Sequence, residues 1–399
     1  MHTAQQPTWT RSDRRLAAAT AVLLGTSMGI LSYGQPVLLK AIIEARSIPT
    51  TRLDLAASLQ CLVNALAAAV VVVLCRRMPA RHVAAGGALA CAVAAVLLAS
   101  TRNAWQLYLT MSLLGIAIAG CGTLVVSTFV IKTAHNRDRV LSVAFIGSSA
   151  GGMIWAPIVS WGLTAGGLAG AAVLLVLGFT LLVALNALLF LRLPPHPSVT
   201  EAPPADDGVT LRQAARTAGF WALLLGSTLL TLTQLAGVYH VLFIWQDSDI
   251  GTPAMPGAVV AAFAGIGRVA AELLLRSLST VYLAGVTCAL QTAGFVLLAQ
   301  GGTMPVLFLG SALLGIAVGN SSLVVLLLTP EAFGLRDIER IAGTIYLWTG
   351  IGASCGAIVL GLLRHEAGGY RLPVLFFALL SLLAGVLLSQ CRRRTPAKP

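Results

Sequence analysis

The stretch RLPPHPSVTEAPPADDGVTLRQAART, residues 192–217, is a long polar segment in the middle of a mostly apolar chain. Proline and charged residues make it too polar to enter a bilayer and too irregular to form one helix or strand. Apolar runs of membrane-spanning length lie on both sides of it. The segment therefore predicts a linker that divides a membrane protein into two halves.

The composition supports a membrane location. Hydrophobic residues make up 57% of the 399 residues, charged residues make up 10%, and the mean hydropathy is +0.87. A water-soluble domain with a polar surface does not reach such values. The net charge of +12 is also found in nucleic-acid-binding proteins, but here Lys and Arg lie in short runs between apolar segments. We therefore predict a polytopic membrane protein in contact with the lipid bilayer, and no nucleic-acid partner.

The apolar runs are counted against the roughly 20 residues that a spanning helix needs. They predict twelve spans, at residues 16–39, 53–75, 82–100, 105–131, 140–163, 168–191, 218–245, 256–275, 280–299, 304–329, 340–363 and 372–390. We thus predict an all-α membrane protein with a six-helix bundle at 1–191, a linker at 192–216 and a second six-helix bundle at 217–399.

The distribution of positive charge predicts the orientation. Most of the 26 Lys and Arg fall on the side of the N-terminus. The exceptions between spans are Lys40, Arg46, Arg52, Arg102, Arg364 and Arg371. Because positively charged loops stay inside, both termini are predicted to be cytoplasmic, as is the linker. We expect a multi-pass monomer in the cell (inner or plasma) membrane.

The two halves also share a short repeat. LLGIAIAGCGTLVV, beginning at Leu113 in span 4, recurs as LLGIAVGNSSLVV, beginning at Leu313 in span 10. Span 10 is the equivalent of span 4 if the second half repeats the first. Transporters are commonly built from such repeats, with the substrate site between them.

Several segments, in this order, carry a family resemblance: SYGQPVLLKAI at 32–42, NRDRVLSVAFIGSSAGGMIWAPIVSWGL at 136–163, and EAFGLRDIERIAGTIYLWTGIGASCGAIVLGLL at 331–363. With them the chain resembles the major facilitator superfamily, and within it the monocarboxylate transporter and oxalate/formate antiporter branch. The resemblance implies a transporter that needs no cofactor and is not an enzyme. One departure is the loop LCRRMPARHV between spans 2 and 3, which lacks the Asp usual in that superfamily and puts its gating latch in doubt.

Two charges interrupt span 8. The stretch AAFAGIGRVAAELLL, residues 261–275, contains Arg268 and Glu272. An Arg near the middle of a spanning helix costs about 2.5–3.5 kcal/mol, so such a residue usually faces a watery cavity. Its planar guanidinium matches a carboxylate, and the resemblance places the family's substrate-binding Arg at this Gly-Arg. The structural alternative is an Arg268–Glu272 pair that packs span 8 against its neighbours.

Glu272 lies one turn after Arg268, on the same face of the helix. This spacing suggests a coupling hypothesis: Arg268 keeps Glu272 ionised until an anionic substrate takes the guanidinium, and Glu272 then binds a proton. His240, near the outer end of span 7, is a second candidate for a substrate or proton role. A lone His at a membrane interface is also commonly an anchor or packing residue.

Three more residues are candidates for substrate binding. Tyr33 stands where some monocarboxylate carriers place a Lys, so a Lys-dependent step is not expected here. Asn320 in span 10 and Tyr346 in span 11 are candidate hydrogen-bonding groups of the cavity. Oxalate carriers of the resembled branch add a Lys in span 11, whereas residues 341–363 contain no Lys or Arg. One fixed cation favours a monoanion.

The sequence thus predicts a secondary active transporter for a small organic anion, most simply a monocarboxylate such as lactate or pyruvate, by alternating access with proton symport. The alternative is an exporter of a larger anionic metabolite or drug, such as a self-made secondary metabolite or siderophore. A non-transporting sensor would be expected to carry an extra soluble domain. An enzyme is the weakest interpretation, because no nucleophile, base or metal cluster converges. We expect no cofactor, metal or catalytic residue.

Overall fold

The computed structural model of the chain describes residues 10–46, 50–134, 136–184, 186, 188, 208–248, 250, 255–275, 278–334 and 336–391. The described chain is helical. Its β pairing is limited to an isolated bridge between Gly208 and Gly334. This agrees with the predicted all-α class, since helices satisfy their own backbone hydrogen bonds within a bilayer.

The helices before the linker begin with α1, which runs over Arg11–Met28, a π-helical segment Gly29–Gly34, and Gln35–Arg46. The next three are α2 at Thr50–Arg77, α3 at Ala80–Ala99, and α4 at Ala104–Cys121 and Thr123–Thr133. A single helical element, Arg137–Leu177, has non-helical backbone at Gly166 and Gly167, and we name its two parts α5 (137–165) and α6 (168–177). A second π-helical segment, Gly178–Ala184, follows α6.

A short helix Leu211–Ala214, within the end of the linker, precedes six longer ones. These are α7 at Ala218–Gln246, α8 at Met255–Leu274, α9 at Thr280–Gln300, α10 at Met304–Phe333, α11 at Ile338–Ala367 and α12 at Arg371–Ser389. The observed bounds follow the predicted spans closely. Most helices extend a few residues beyond the predicted spans, and α1 extends furthest, to Arg46 instead of residue 39.

Nine helices among the described residues are long and apolar enough to cross a membrane, and a shorter apolar helix covers Met255–Ala271. The element that contains α5 and α6 counts once in this number. A multi-pass membrane protein is thus confirmed, while the count of twelve spans and the cytoplasmic location of the termini stay predictions.

Polar residues at the helix ends explain where several helices begin. Thr10 and Asp13 form a reciprocal capping box at the start of α1. The side chain of Asn103 accepts from the Gln106 N–H at the start of α4. In the same way, Thr217 accepts from the Phe220 N–H at the start of α7, and Ser279 accepts from the Tyr282 N–H at the start of α9. These side chains satisfy N–H groups that the first turn of a helix leaves unpaired.

The apolar core is divided in the same way as the chain. One buried cluster draws on residues 16–183, and two others draw on residues 214–391 together with Ala156. We call the helices before and after the linker the first and second halves. The N-terminal face is the end of the bundle where α1 begins, and the distal face is the opposite end, where α2 begins.

The two halves meet along α2 and α11, which run antiparallel. The Ile358 N–H of α11 donates to Ser58 Oγ of α2 at 3.2 Å. Towards the distal face, the backbone of Gly361 lies directly against the Asp54 carboxylate: a Cβ on residue 361 would lie 2.6 Å from Asp54 Cγ. The distal ends of α2 and α11 are therefore held together.

The end of the linker packs on the second half. The Val209 N–H donates to Phe333 O at 3.0 Å, and the Leu211 N–H donates to Asp337 Oδ2 at 2.9 Å. Thr210 also forms a capping box with Gln213 at the start of the short helix. Residues 208–216 are thus joined to the segment between α10 and α11.

Candidate functional site

Arg268 joins three helices from both halves. Its Nε donates to Gly319 O of α10 at 3.1 Å. Its Nη1 donates to Phe145 O and, at 3.3 Å, to Ser148 Oγ, both in α5 of the first half. The guanidinium carbon also lies 4.9 Å from the centre of the Phe145 ring, within the range of a cation–π contact.

Close helix packing places this side chain. A Cβ on Gly267 would lie 2.9 Å from Ile316 Cα, and one on Gly319 would lie 2.9 Å from Ala264 C. Both glycines therefore let the backbones of α8 and α10 approach each other. Because α10 lies so near, the guanidinium reaches the Gly319 carbonyl and still extends towards α5.

The half-buried Arg268 is a fixed positive charge at the junction of the halves. The guanidinium keeps its charge at any physiological pH and offers donors in several directions of one plane. Here those donors face carbonyl and hydroxyl oxygens from two halves. A carboxylate that entered this junction would be a stronger acceptor than these neutral groups.

Of the four remaining predicted residues for substrate or proton binding, the structure describes the side chains of two. Asn320 follows Gly319 in α10; it is buried, and its Oδ1 has no hydrogen-bond partner among the described residues. Tyr346 of α11 is 47% exposed. The backbones of Tyr33 and Glu272 lie in α1 and α8, but their side chains are outside the part of the chain that the structure describes. The predicted roles of all four stay predictions.

His240 of α7 lies in a second polar cluster, near the distal face. Its Nε2 is 3.0 Å from Ala357 O, and its Nδ1 is 3.1 Å from the Tyr370 hydroxyl. Since a carbonyl can only accept, Nε2 carries a hydrogen and Nδ1 accepts from Tyr370 in the neutral ring. The imidazole Nε2 is also 3.6 Å from Asp54 Oδ1 of α2, in the first half. His240 is thus buried and has polar groups on both sides of the ring.

Arg364 completes this distal cluster. Its Nη2 donates to Asp247 Oδ1 at 3.3 Å, and its guanidinium carbon lies 4.4 Å from the centre of the Tyr370 ring. Burial raises the pKa of the Tyr370 phenol, so its hydroxyl keeps its proton at physiological pH. Because Arg364 packs on the Tyr370 ring, it holds the protonated Tyr370 hydroxyl in the position that contacts His240.

Sequence reasoning missed Asp54. The residue is the second of predicted span 2, where an acid is typical of the boundary with a polar loop, yet the structure buries its side chain to 11% exposure against His240. The one available signal was the charged pair Arg52 and Asp54 directly at the beginning of an apolar run. Arg364 was interpreted only as a charge that sets the orientation.

A third polar group, made of Gln35, Gln60 and Tyr239, also joins the two halves. Gln35 and Gln60 exchange two amide hydrogen bonds, of 2.6 and 2.9 Å, between α1 and α2. The Tyr239 hydroxyl of α7 donates to Gln60 Oε1 at 3.3 Å. Consecutive residues of α7, Tyr239 and His240, thus both contact the first half.

Arg268 and His240 lie at different depths. Each residue advances a helix by about 1.5 Å, so Arg268 is about 20 Å from the distal start of α8 and His240 about 9 Å from the distal end of α7. The structure therefore presents a fixed guanidinium deep in the bundle and a titratable group nearer the distal face.

Sequence comparison identifies a family. Residues 17–341 match the profile of the Major Facilitator Superfamily. No curated protein sequence matches the chain significantly.

Solved structures show the same fold. A bacterial homologue of the human lysosomal transporter Spinster, in an inward-facing and occupied conformation, has a TM-score of 0.70 at 14% identity, over 96% of this chain and 98% of that one. A variant of the fucose:proton symporter FucP of E. coli has a TM-score of 0.64 at 15% identity, over 96% and 100%. The human organic anion transporter MFSD10 has a TM-score of 0.66 at 15% identity, over 94% and 99%.

Proposed function

Because the chain belongs to the major facilitator superfamily, whose members are transporters rather than enzymes, we propose that it carries a small organic anion across the membrane by proton symport. The observation that carries this proposal is the position of Arg268. A fixed guanidinium lies deep in the bundle and donates to groups of both halves.

The chemistry of the guanidinium supports an anion. A carboxylate accepts two parallel N–H bonds from it, with more strength than the carbonyl of Phe145 or the hydroxyl of Ser148. The Phe145 ring against the guanidinium offers an apolar surface for the organic part of the substrate. Of the similar structures, one belongs to an organic anion transporter and one to a proton symporter.

Arg268 also connects binding to movement in this proposal. Its Nη1 contacts lie on α5 of the first half, whereas α8 and α10 belong to the second half. An anion that accepts from Nη1 competes with those contacts. Substrate binding then changes how the halves are joined, as alternating access requires. A monocarboxylate such as lactate or pyruvate is our first choice, because one cation neutralises one carboxylate.

Transport by purified protein tests the proposal. Uptake of labelled lactate, pyruvate, acetate, formate and oxalate into proteoliposomes is measured with and without an inward proton gradient. We expect gradient-stimulated uptake of a monoanion. Each charged hydrogen bond that Arg268→Ala removes is worth about 1.5–3 kcal/mol, so kcat/KM should fall by about 10- to 140-fold or more.

Two further variants make the test specific. Arg268→Lys keeps the charge but not the planar fork, so it should retain part of the activity with a raised KM. Arg216→Ala removes an exposed Arg from the linker and should leave uptake unchanged. Uptake that is equal in wild type and Arg268→Ala would contradict the assigned site. No uptake of any of these anions by folded protein would instead favour export of a larger anionic metabolite.

A further inference from the structure

The distal cluster contains a buried acid and a buried base from different halves. Asp54 of α2 and His240 of α7 have side chains that are 11% and 2% exposed, with 3.6 Å between Oδ1 and Nε2. The two residues face each other only while the distal ends of the halves are together. Their contact is therefore specific to this closed arrangement.

The ring of His240 has suitable partners with one proton or with two. In the neutral ring, Nε2–H faces Ala357 O and Nδ1 accepts from Tyr370. In the imidazolium, Nδ1–H would donate instead, and the Tyr370 hydroxyl can turn to accept, because a hydroxyl is both donor and acceptor. Protonation thus leaves no ring nitrogen without a partner, and Asp54 supplies the opposite charge.

The charges of the cluster favour one added proton. Its described charged groups are the carboxylates of Asp54 and Asp247 and the guanidinium of Arg364, which contacts Asp247. With a neutral His240, these three groups carry one net negative charge, which remains on the buried Asp54 because Asp247 is paired with Arg364. One proton makes the cluster neutral, and a buried carboxylate without a counter-charge is costly. Arg52, an exposed residue of the same helix, and Tyr108 of α4 line one groove together with Asp54.

That groove gives Asp54 a route to water. It has a volume of about 250 Å³ and is lined by Arg52, Asp54, Leu55, Tyr108, Ile358 and Leu362, from α2, α4 and α11. A water molecule occupies about 30 Å³ in the liquid, so the groove has room for several. Protons can reach the carboxylate from the groove even though the His240 ring is buried.

We propose that Asp54 and His240 form the proton-binding site of this transporter, and that one proton shared by the pair holds the distal ends of the two halves together. The proposal rests on the proposed function and specifies the residues of its proton symport. The proton belongs to the pair, as imidazolium beside carboxylate or as neutral ring beside carboxyl. Loss of the proton leaves a net negative charge at the junction, which favours separation and hydration of Asp54.

Distance measurement between spin labels tests this without any substrate. Labels are placed at Arg102→Cys in the first half and Arg371→Cys in the second, two exposed positions at the distal face, in full-length protein whose seven native cysteines are replaced. Double electron–electron resonance in nanodiscs then gives the ratio of closed to open distal ends. We expect this ratio to rise as the pH falls, by up to about tenfold per pH unit, the limit for one proton.

Substitutions test whether Asp54 and His240 cause the pH dependence of the closed-to-open ratio. The double variant Asp54→Asn/His240→Gln keeps the shape of the pair but cannot bind the proton, so its ratio should not change with pH. Glu366→Gln removes an exposed carboxylate of α11 near the same face and should keep the wild-type slope. A wild-type ratio that does not depend on pH would overturn the proposal, as would an unchanged slope in the double variant.

If the cysteine-free protein does not fold, a second measurement tests the proposal in the protein with its native cysteines. Hydrogen–deuterium exchange of residues 50–60 and 355–367 in the protein with its native cysteines should show protection that increases as the pH falls, after correction for intrinsic exchange. The same protection at every pH would overturn the proposal. Failure of the anion proposal would appear separately, as absent uptake in proteoliposomes with a pH-dependent distance still present.

Discussion

Replacing Gly361 by alanine should open the distal face without changing any charge. A Cβ at this position would lie 2.6 Å from Asp54 Cγ and 3.2 Å from Asp54 Cβ, and nearer still to Oδ2. Ordinary van der Waals contacts begin near 3.4 Å. The carboxylate must therefore turn away from His240, or the ends of α2 and α11 must separate.

The size of the effect follows from overpacking. An extra methyl group in a well-packed site costs about 1–3 kcal/mol. The clash exists only when the distal ends are together, so this cost acts on the closed arrangement alone. At about 1.4 kcal/mol per tenfold, the ratio of closed to open distal ends should fall about 5- to 140-fold. The higher helix propensity of alanine acts on both arrangements and cancels from the ratio.

The spin-label pair at residues 102 and 371 measures this ratio directly. Gly343→Ala is the matched control: it lies in the same helix, and a Cβ there meets nothing within 4 Å. In an Asp54→Ala background the clash with the carboxylate is gone, so Gly361→Ala should have a much smaller effect. A distance distribution in Gly361→Ala that equals that of Gly343→Ala would refute the close contact between α2 and α11.

Two further substitutions test packing and the amide pair. Gly356→Ala places a Cβ 3.1 Å from Leu232 C, between two helices of the same half, so it should lower the melting temperature of detergent-solubilised protein without a specific change in the spin-label distances. Melting temperatures equal to those of wild type would contradict this packing. Gln35→Leu leaves the buried Gln60 amide without its main partner and should destabilise the protein by about 1–3 kcal/mol, measured by thermal unfolding, and Gln60→Leu in addition should recover part of that loss. A double variant as unstable as the sum of the single variants would disprove the pairing.

The fold was predictable because a helix that spans the bilayer needs a long run of apolar residues. Apolar runs mark the helices, and observed bounds such as Thr280–Gln300 match the predicted span 280–299. Finer features were not predictable from hydropathy. The π-helical segment Gly29–Gly34 depends on backbone geometry inside predicted span 1, where hydropathy shows no interruption. The non-helical Gly166 and Gly167, in contrast, lie in the predicted gap between spans 5 and 6.

The candidate site was only partly predictable. Arg268 stands out in sequence because a charge is rare within a span, but two of its acceptors on α5 and α10 are backbone carbonyls, which every sequence contains, and the third is the hydroxyl of an ordinary Ser148. Asp54 was missed because burial at the end of a helix depends on α7 and α11, which are far away in the chain. Its contact with His240 is a property of the packed halves, and hydropathy carries no information about it.

The docked end of the linker has a mechanical consequence. Residues 208–216 are fastened to the segment between α10 and α11 by the bonds of Val209 to Phe333 and of Leu211 to Asp337. The rigid body of the second half therefore starts at Gly208 and not at Ala218. The tether that must change its span when the halves rock is shorter than the polar stretch in the sequence. If the two halves are co-expressed as separate pieces, the chain should be cut before Gly208, so that the second piece keeps the bonds of Val209 and Leu211 to the segment between α10 and α11.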